Sequence, residues 1–178
     1  MAALFSNISF IGGIHGVGKS TICKDLCSQL DIQYLSASEV LKWVEINVDA
    51  KNKKVEDISL TQDRLINGLL NTVKKGGLYL LDGHYCLFNK TENVMRVPIA
   101  TFEAINPVSL HLITGDVDTI KSRIEQRDSR NYSYEALQNM QEQEIAYAKE
   151  LSIKLNVKLS IGSEKDYSEI YSSLKSKK

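Results

Sequence analysis

Apolar and polar positions along the chain fall into short unbroken apolar runs and longer stretches with helical spacing. The first run covers residues 8–11 and ends in Gly12-Gly13. Helical spacing begins at Lys19 and puts Ile22, Cys23, Leu26 and Leu30 on one stripe. Residues 32–35 read as a short buried strand, and Ser36 or Ser38 is placed to cap a helix carrying Val40, Leu41, Val44 and Ile46. A polar, charged loop is expected over 51–57, followed by a helix over about 60–75 that Gly76 and Gly77 stop. Leu78-Tyr79-Leu80-Leu81, bounded by glycine and by Asp82-Gly83, has the continuous apolar character of a strand covered on both faces. Residues 89–96 read as a surface excursion, and Asn106-Pro107 precedes a strand over 108–113. A helix over 116–126, a polar break over 127–133, a long helix from Tyr134 to about 155, a strand over 157–161 and a short amphipathic tail helix complete the pattern. Five short strands alternating with helices, without repeat or linker, predict one three-layer α/β domain over residues 1–178 with a mainly parallel sheet.

Charge narrows the partners. The 22 lysines and arginines balance 22 aspartates and glutamates, so nothing electrostatic favours nucleic acid or an anionic membrane, and any basic site must be local. No apolar run approaches the roughly 18 residues that a membrane span needs. The opening Met-Ala-Ala-Leu-Phe-Ser-Asn has neither the basic segment nor the apolar stretch of a signal peptide, and a cytoplasmic protein is expected. Cys23 and Cys27 face one way on the first helix and, with Cys86, read as small buried hydrophobes rather than a metal or redox site.

The chemistry concentrates after the first strand. Gly13-Ile14-His15-Gly16-Val17-Gly18-Lys19-Ser20-Thr21 satisfies the phosphate-loop pattern G-x-x-x-x-G-K-[ST], with an apolar strand before it and an amphipathic helix after it. Glycines let successive backbone amides turn toward one anion, and the helix start adds its own amides and dipole. Lys19 is then placed for the β- and γ-phosphates of ATP or a similar nucleotide, and the Ser20 hydroxyl for Mg²⁺. Asp82, at the end of the 78–81 strand, is placed to reach the Mg²⁺ shell through a water, and His84 points toward the same site. The expected fold is therefore the three-layer P-loop NTPase type with five strands.

Together these motifs resemble the nucleoside monophosphate kinases, most of all archaeal-type adenylate kinases and the nuclear adenylate kinase-like proteins. Gly-Ile-His-Gly-Val-Gly-Lys-Ser-Thr resembles their loop, with His15 where proline is usual. Asp82-Gly83-His84 is similar to their Asp-x-His, and Ile105-Asn106-Pro107 to the segment before their fourth strand. The stretch from Asp118 to Ser133 resembles their lid. The resemblance implies that Arg123, Arg127 and Arg130 neutralise the transferred phosphoryl, with a lid at about 127–133 and an acceptor-binding segment at about 36–70. In that segment Ser38-Glu39-Val40-Leu41-Lys42 stands where the family has a Gly-Asp-x-x-Arg-like motif. Lysine there keeps the charge and loses the bidentate fork.

Three functions follow as expectations. The leading one is phosphoryl transfer from ATP to a nucleoside monophosphate, AMP foremost. Lys19, Mg²⁺ and the lid arginines stabilise the transfer, while residues 36–42 (Ser38, Glu39 and Lys42 among them), His84, Asp63 and Arg64 hold the acceptor. No general base is needed, because a phosphate acceptor is already an oxyanion. The second is a kinase of a small hydroxylated metabolite, with Glu39, Asp63 or Asp82 as the base. The third is an ATP-hydrolysing switch or assembly factor with a protein partner or a second copy of itself, contacted through residues 89–96 or the tail. Among the tyrosines only Tyr85, beside His84, is a candidate for stacking on a base.

Overall fold

The computed structural model describes residues 4–45, 58–89, 91 and 93–178. The 51–57 loop expected from the sequence, and Ile46, lie outside these residues. Five parallel strands form the central sheet: β1 (Ile8–Gly12), β2 (Gln33–Ser36), β3 (Tyr79–Asp82), β6 (Ser109–Thr114) and β7 (Leu159–Ser163), in the order β2-β3-β1-β6-β7. Burial on both faces explains the apolar runs: every residue of β1 and β3 is buried. Strand β2 departs from the buried strand expected over 32–35. Among the described residues it pairs only with β3, and its own residues are exposed or half-buried.

The helices are α1 (Lys19–Leu30), α2 (Ala37–Glu45), α3 (Ile58–Thr72), α4 (Ile99–Ile105), α5 (Val117–Asp128), α6 (Tyr134–Leu155) and α7 (Ser168–Lys175). The stripe expected on α1 is buried as Ile22, Cys23, Leu26, Cys27 and Leu30. Burial pushes the Cys27 thiol up to about 11 and the Cys86 thiol to about 12, so both stay neutral and pack as hydrophobes. Asp116 caps α5 by accepting from the Thr119 amide, and Ser133 caps α6 by accepting from Ala136.

Three elements were not expected. Residues 89–96 are not a simple surface excursion, because β4 (Cys86–Phe88) and β5 (Val94–Arg96) form an antiparallel hairpin. Asn89 organises its turn, its side-chain oxygen accepting from the amides of Thr91 and Asn93 at 2.9 Å each. Helix α4 follows directly and buries Phe102 in an aromatic cluster with Phe10, Tyr85 and Tyr147 at ring separations of 5.0–6.1 Å. The cluster packs against β1 through Phe10.

Candidate functional site

The phosphate loop runs from the end of β1 to the start of α1. Its backbone needs glycine: Gly16 and Gly18 have φ of 81° and 88°, which L side chains resist. Space forbids side chains as well. A Cβ on Gly16 would lie 2.4 Å from Ile124 Cγ2, and one on Gly13 would lie 2.7 Å from the Ile113 carbonyl oxygen. The loop is thus wedged between β6 and α5. Gly18 gives α1 no side-chain cap, so the first-turn amides are left for an anion.

Lys19, only 9% exposed, is ion-paired with Asp82 Oδ1. Tyr34 on the edge strand donates to Asp82 Oδ2 at 2.9 Å, and burial with the adjacent carboxylate raises the Tyr34 pKa, so its hydroxyl keeps its proton. The parallel register of β1, β2 and β3 brings these groups together, because Ile11 and Ser36 both pair with Asp82. Ser20 is exposed in the first turn of α1 and lines the same cleft as Asp82. A hydroxyl and a carboxylate are all-oxygen donors, a set that fits Mg²⁺.

Behind the loop, the His84 ring packs against His15 with centroids 4.3 Å apart. His84 Nδ1 lies 3.9 Å from Glu144 Oε1. Burial, and then the Lys19 charge, hold the His84 pKa well below the usual histidine range, so the ring is neutral. Glu144 is 1% exposed, and its Oε1 accepts from the amides of Tyr85 at 3.1 Å and Cys86 at 3.0 Å. Burial raises its pKa to about 7.

Arg123 and Arg127 are four residues apart on α5 and therefore share a face at the rim of the cleft. Arg123 pairs with Glu164 at 2.7 Å, beyond the last strand. Arg127 forks onto Asp128 at 2.6 and 2.9 Å, and this bond, with one from Tyr132, holds the Asp128 carboxyl well below the usual range. Arg130 lies past the α5 C-cap, its guanidinium 4.6 Å above the Tyr132 ring.

The cleft itself has a volume of about 980 Å³. It brings together His15, Gly16, Gly18, Lys19, Ser20, Thr21, Ser38, Glu39, Asp82, His84, Arg123 and Arg127. Gly13 and Val17 support the loop from below, both buried. Arg130 instead lines a neighbouring cavity of about 520 Å³, which shares the His15–His84 partition. Asp63 and Arg64 lie on α3 outside the cleft lining, where Thr61, Gln62 and Leu65 stand instead. Lys42 is on α2, and its side chain lies outside the description. Tyr85 is fully buried and donates to the His111 carbonyl at 2.9 Å, which removes it as a surface for a base.

Sequence reasoning missed Tyr34, Gln141 and Glu144. Gln141 Nε2 donates to the Gly115 carbonyl while its Oε1 accepts from the Gly115 amide, each at 2.9 Å. The model of the AAA domain family AAA_17 matches residues 12–141. The chain belongs to this AAA-domain family. Among solved structures, the AAA-domain chain is similar to a gluconokinase from Sinorhizobium meliloti 1021, with TM-score 0.50, 9% identity, and coverage of 97% of this chain and 91% of that one. It is likewise similar to an uncharacterized protein from Eubacterium ventriosum ATCC 27560, with TM-score 0.50, 13% identity and coverage of 96% of each chain. At these identities the likeness concerns the fold: a parallel five-stranded sheet flanked by helices. No helix among the described residues is long and apolar enough to cross a membrane.

Proposed function

We propose that this chain transfers the γ-phosphoryl group of ATP to a small acceptor, with a nucleoside monophosphate, AMP foremost, as that acceptor. The observation that carries the reading is the Lys19–Asp82 pair on the floor of a cleft with the glycine loop and α5 arginines on one side and a polar pocket on the other. Nucleotide phosphates compete with Asp82 for Lys19, and the loop and α1 amides hold the β-phosphate. Arg123 and Arg127 face the charge that spreads over the transferring group and keep water from it. Ser20 and Asp82 would hold Mg²⁺, which supplies charge neutralisation at the phosphate oxygens. A cleft of about 980 Å³ has room for donor and acceptor together.

A second reading has one observation of its own. The acceptor half carries the polar side chains of Ser36, Ser38, Glu39, Thr61 and Gln62 beside the apolar Leu41, Leu65, Val97 and Phe102, with no arginine among its described residues. Hydroxyls, an amide and one carboxylate suit a polyhydroxylated acceptor, whose hydroxyl Glu39 or Asp82 would deprotonate. The test offers the protein ATP and Mg²⁺ with each nucleoside monophosphate, then with a panel of sugars and sugar acids, following products by chromatography. Diphosphate from a monophosphate, lost in Lys19→Ala, supports the first reading. Phosphorylation of polyols alone transfers the case to the second, and conversion of neither class removes the kinase reading.

A further inference from the structure

We propose that Glu144 is a positioning residue of the phosphate site, and that its carboxylate takes up a proton from solvent when nucleotide phosphates enter the loop. The inference rests on the phosphate-binding reading above and extends it to a residue outside the cleft. Glu144 sits on α6, whose N-terminal end follows the turn bearing Arg130. Its Oε1 holds the amides of Tyr85 and Cys86, fixing the segment that carries His84. Its Oε2 is buried and makes no hydrogen bond of ordinary geometry, with the Gly13 amide near enough to favour the ionised form. That oxygen faces the base of the loop, 3.2 Å from where a Cβ on Gly12 would stand. Three residues earlier, one turn along α6, Gln141 clamps Gly115 at the end of β6. One helix face therefore anchors Gly115, just past β6, and the Tyr85–Cys86 segment that leads from β3 into β4.

A buried carboxylate under a phosphate site creates a conflict of charge. The groups facing it are Lys19 from α1, His84 from the β3–β4 connection, and the neutral Tyr85 and Cys86. Lys19 is the one cation among these, and nucleotide phosphates draw on it. With that compensation shared, the buried anion is relieved by protonation at Oε2, while Oε1 keeps both amide bonds. The carboxyl is poised for this near neutrality, since burial already raises its pKa to about 7.

The test is calorimetric titration of Mg·ATP into the full chain at pH 7 in buffers of different ionisation enthalpy. The expected result is net proton uptake on nucleotide binding by the wild type, and none in Glu144→Gln, which keeps an acceptor for both amides. The wild type alone gives a second readout: its ATP affinity falls by up to about tenfold per pH unit as pH rises above 7. Equal proton uptake in both proteins, or wild-type affinity flat between pH 6 and 8, overturns the inference while leaving phosphate binding intact. Failure of both proteins to bind Mg·ATP overturns the reading of the loop and this inference with it.

Discussion

Glu144 shows how one side chain carries both stability and site geometry. Its carboxyl titrates at about 7 in the folded chain, against a reference of 4.5. The folded state thus holds a proton that the unfolded state releases between those values. Stability from this group is fully present below pH 4.5 and is lost as pH rises toward 7. Relative to Glu144→Gln, the wild type should lose about 3 kcal/mol across that window, read from urea unfolding at several pH values. A constant difference between the two proteins would contradict the assignment. Glycine positions make a second residue-scale prediction. Gly16→Ala adds a Cβ at a positive φ and against Ile124, so the folded protein should lose ATP affinity by on the order of tenfold or more, measured by calorimetry. The phosphate loop was legible in the sequence because its chemistry dictates residue types at fixed spacing. Glu144 was not, since Gln141-Glu142-Gln143-Glu144 has the look of a solvated helix face. The available signal was its place on the stripe of Leu137, Met140, Ala148 and Leu151, all buried on α6.

At the scale of elements, α5 is the piece that joins the loop to the charges around it. Its apolar face packs Ile124 onto Gly16, and the same helix presents Arg123 and Arg127 to the cleft. Both arginines make exposed ion pairs, and such pairs contribute little to stability. Arg127→Ala should therefore leave thermal unfolding nearly unchanged while lowering kcat for phosphoryl transfer on the order of a hundredfold. A large drop in Tm with unchanged kcat would assign Arg127 to the fold instead. Helices α1, α5 and α6 were legible from their helical spacing and length. The β4–β5 hairpin and α4 were not, because three-residue strands and a seven-residue helix are too short to establish a period. Their positions come from tertiary packing: Tyr147 bonds the Val97 carbonyl at 2.7 Å, and Arg96 lies 4.8 Å above the Tyr147 ring while pairing with Glu150.

For the whole molecule, the site follows from topology. Strands β3 and β6 flank β1 on either side, so chain connections leave the sheet in opposite directions at its carboxyl edge and open a crevice there. The strand pattern revealed this sheet and its parallel sense. The part of the cleft beside α2, α3 and α4 was less legible, since sequence spacing does not say which turn of α3 faces inward. Asp63 and Arg64 lie outside the lining while Thr61, Gln62 and Leu65 form it. The aromatic cluster around Phe102 packs against β1 through Phe10, and Phe102→Ala should cost about 3–5 kcal/mol, seen as a lowered urea midpoint. Phosphoryl transfer at Lys19 is the chemistry proposed for this cleft. Its most direct test is a single-turnover measurement with ATP labelled at the γ-phosphorus, Mg²⁺ and AMP, comparing the wild type with Lys19→Ala. Label passing from ATP into ADP formed from AMP, at least about a hundredfold slower in the variant, is the predicted result. Label that stays on ATP, or moves equally fast without Lys19, would contradict the account.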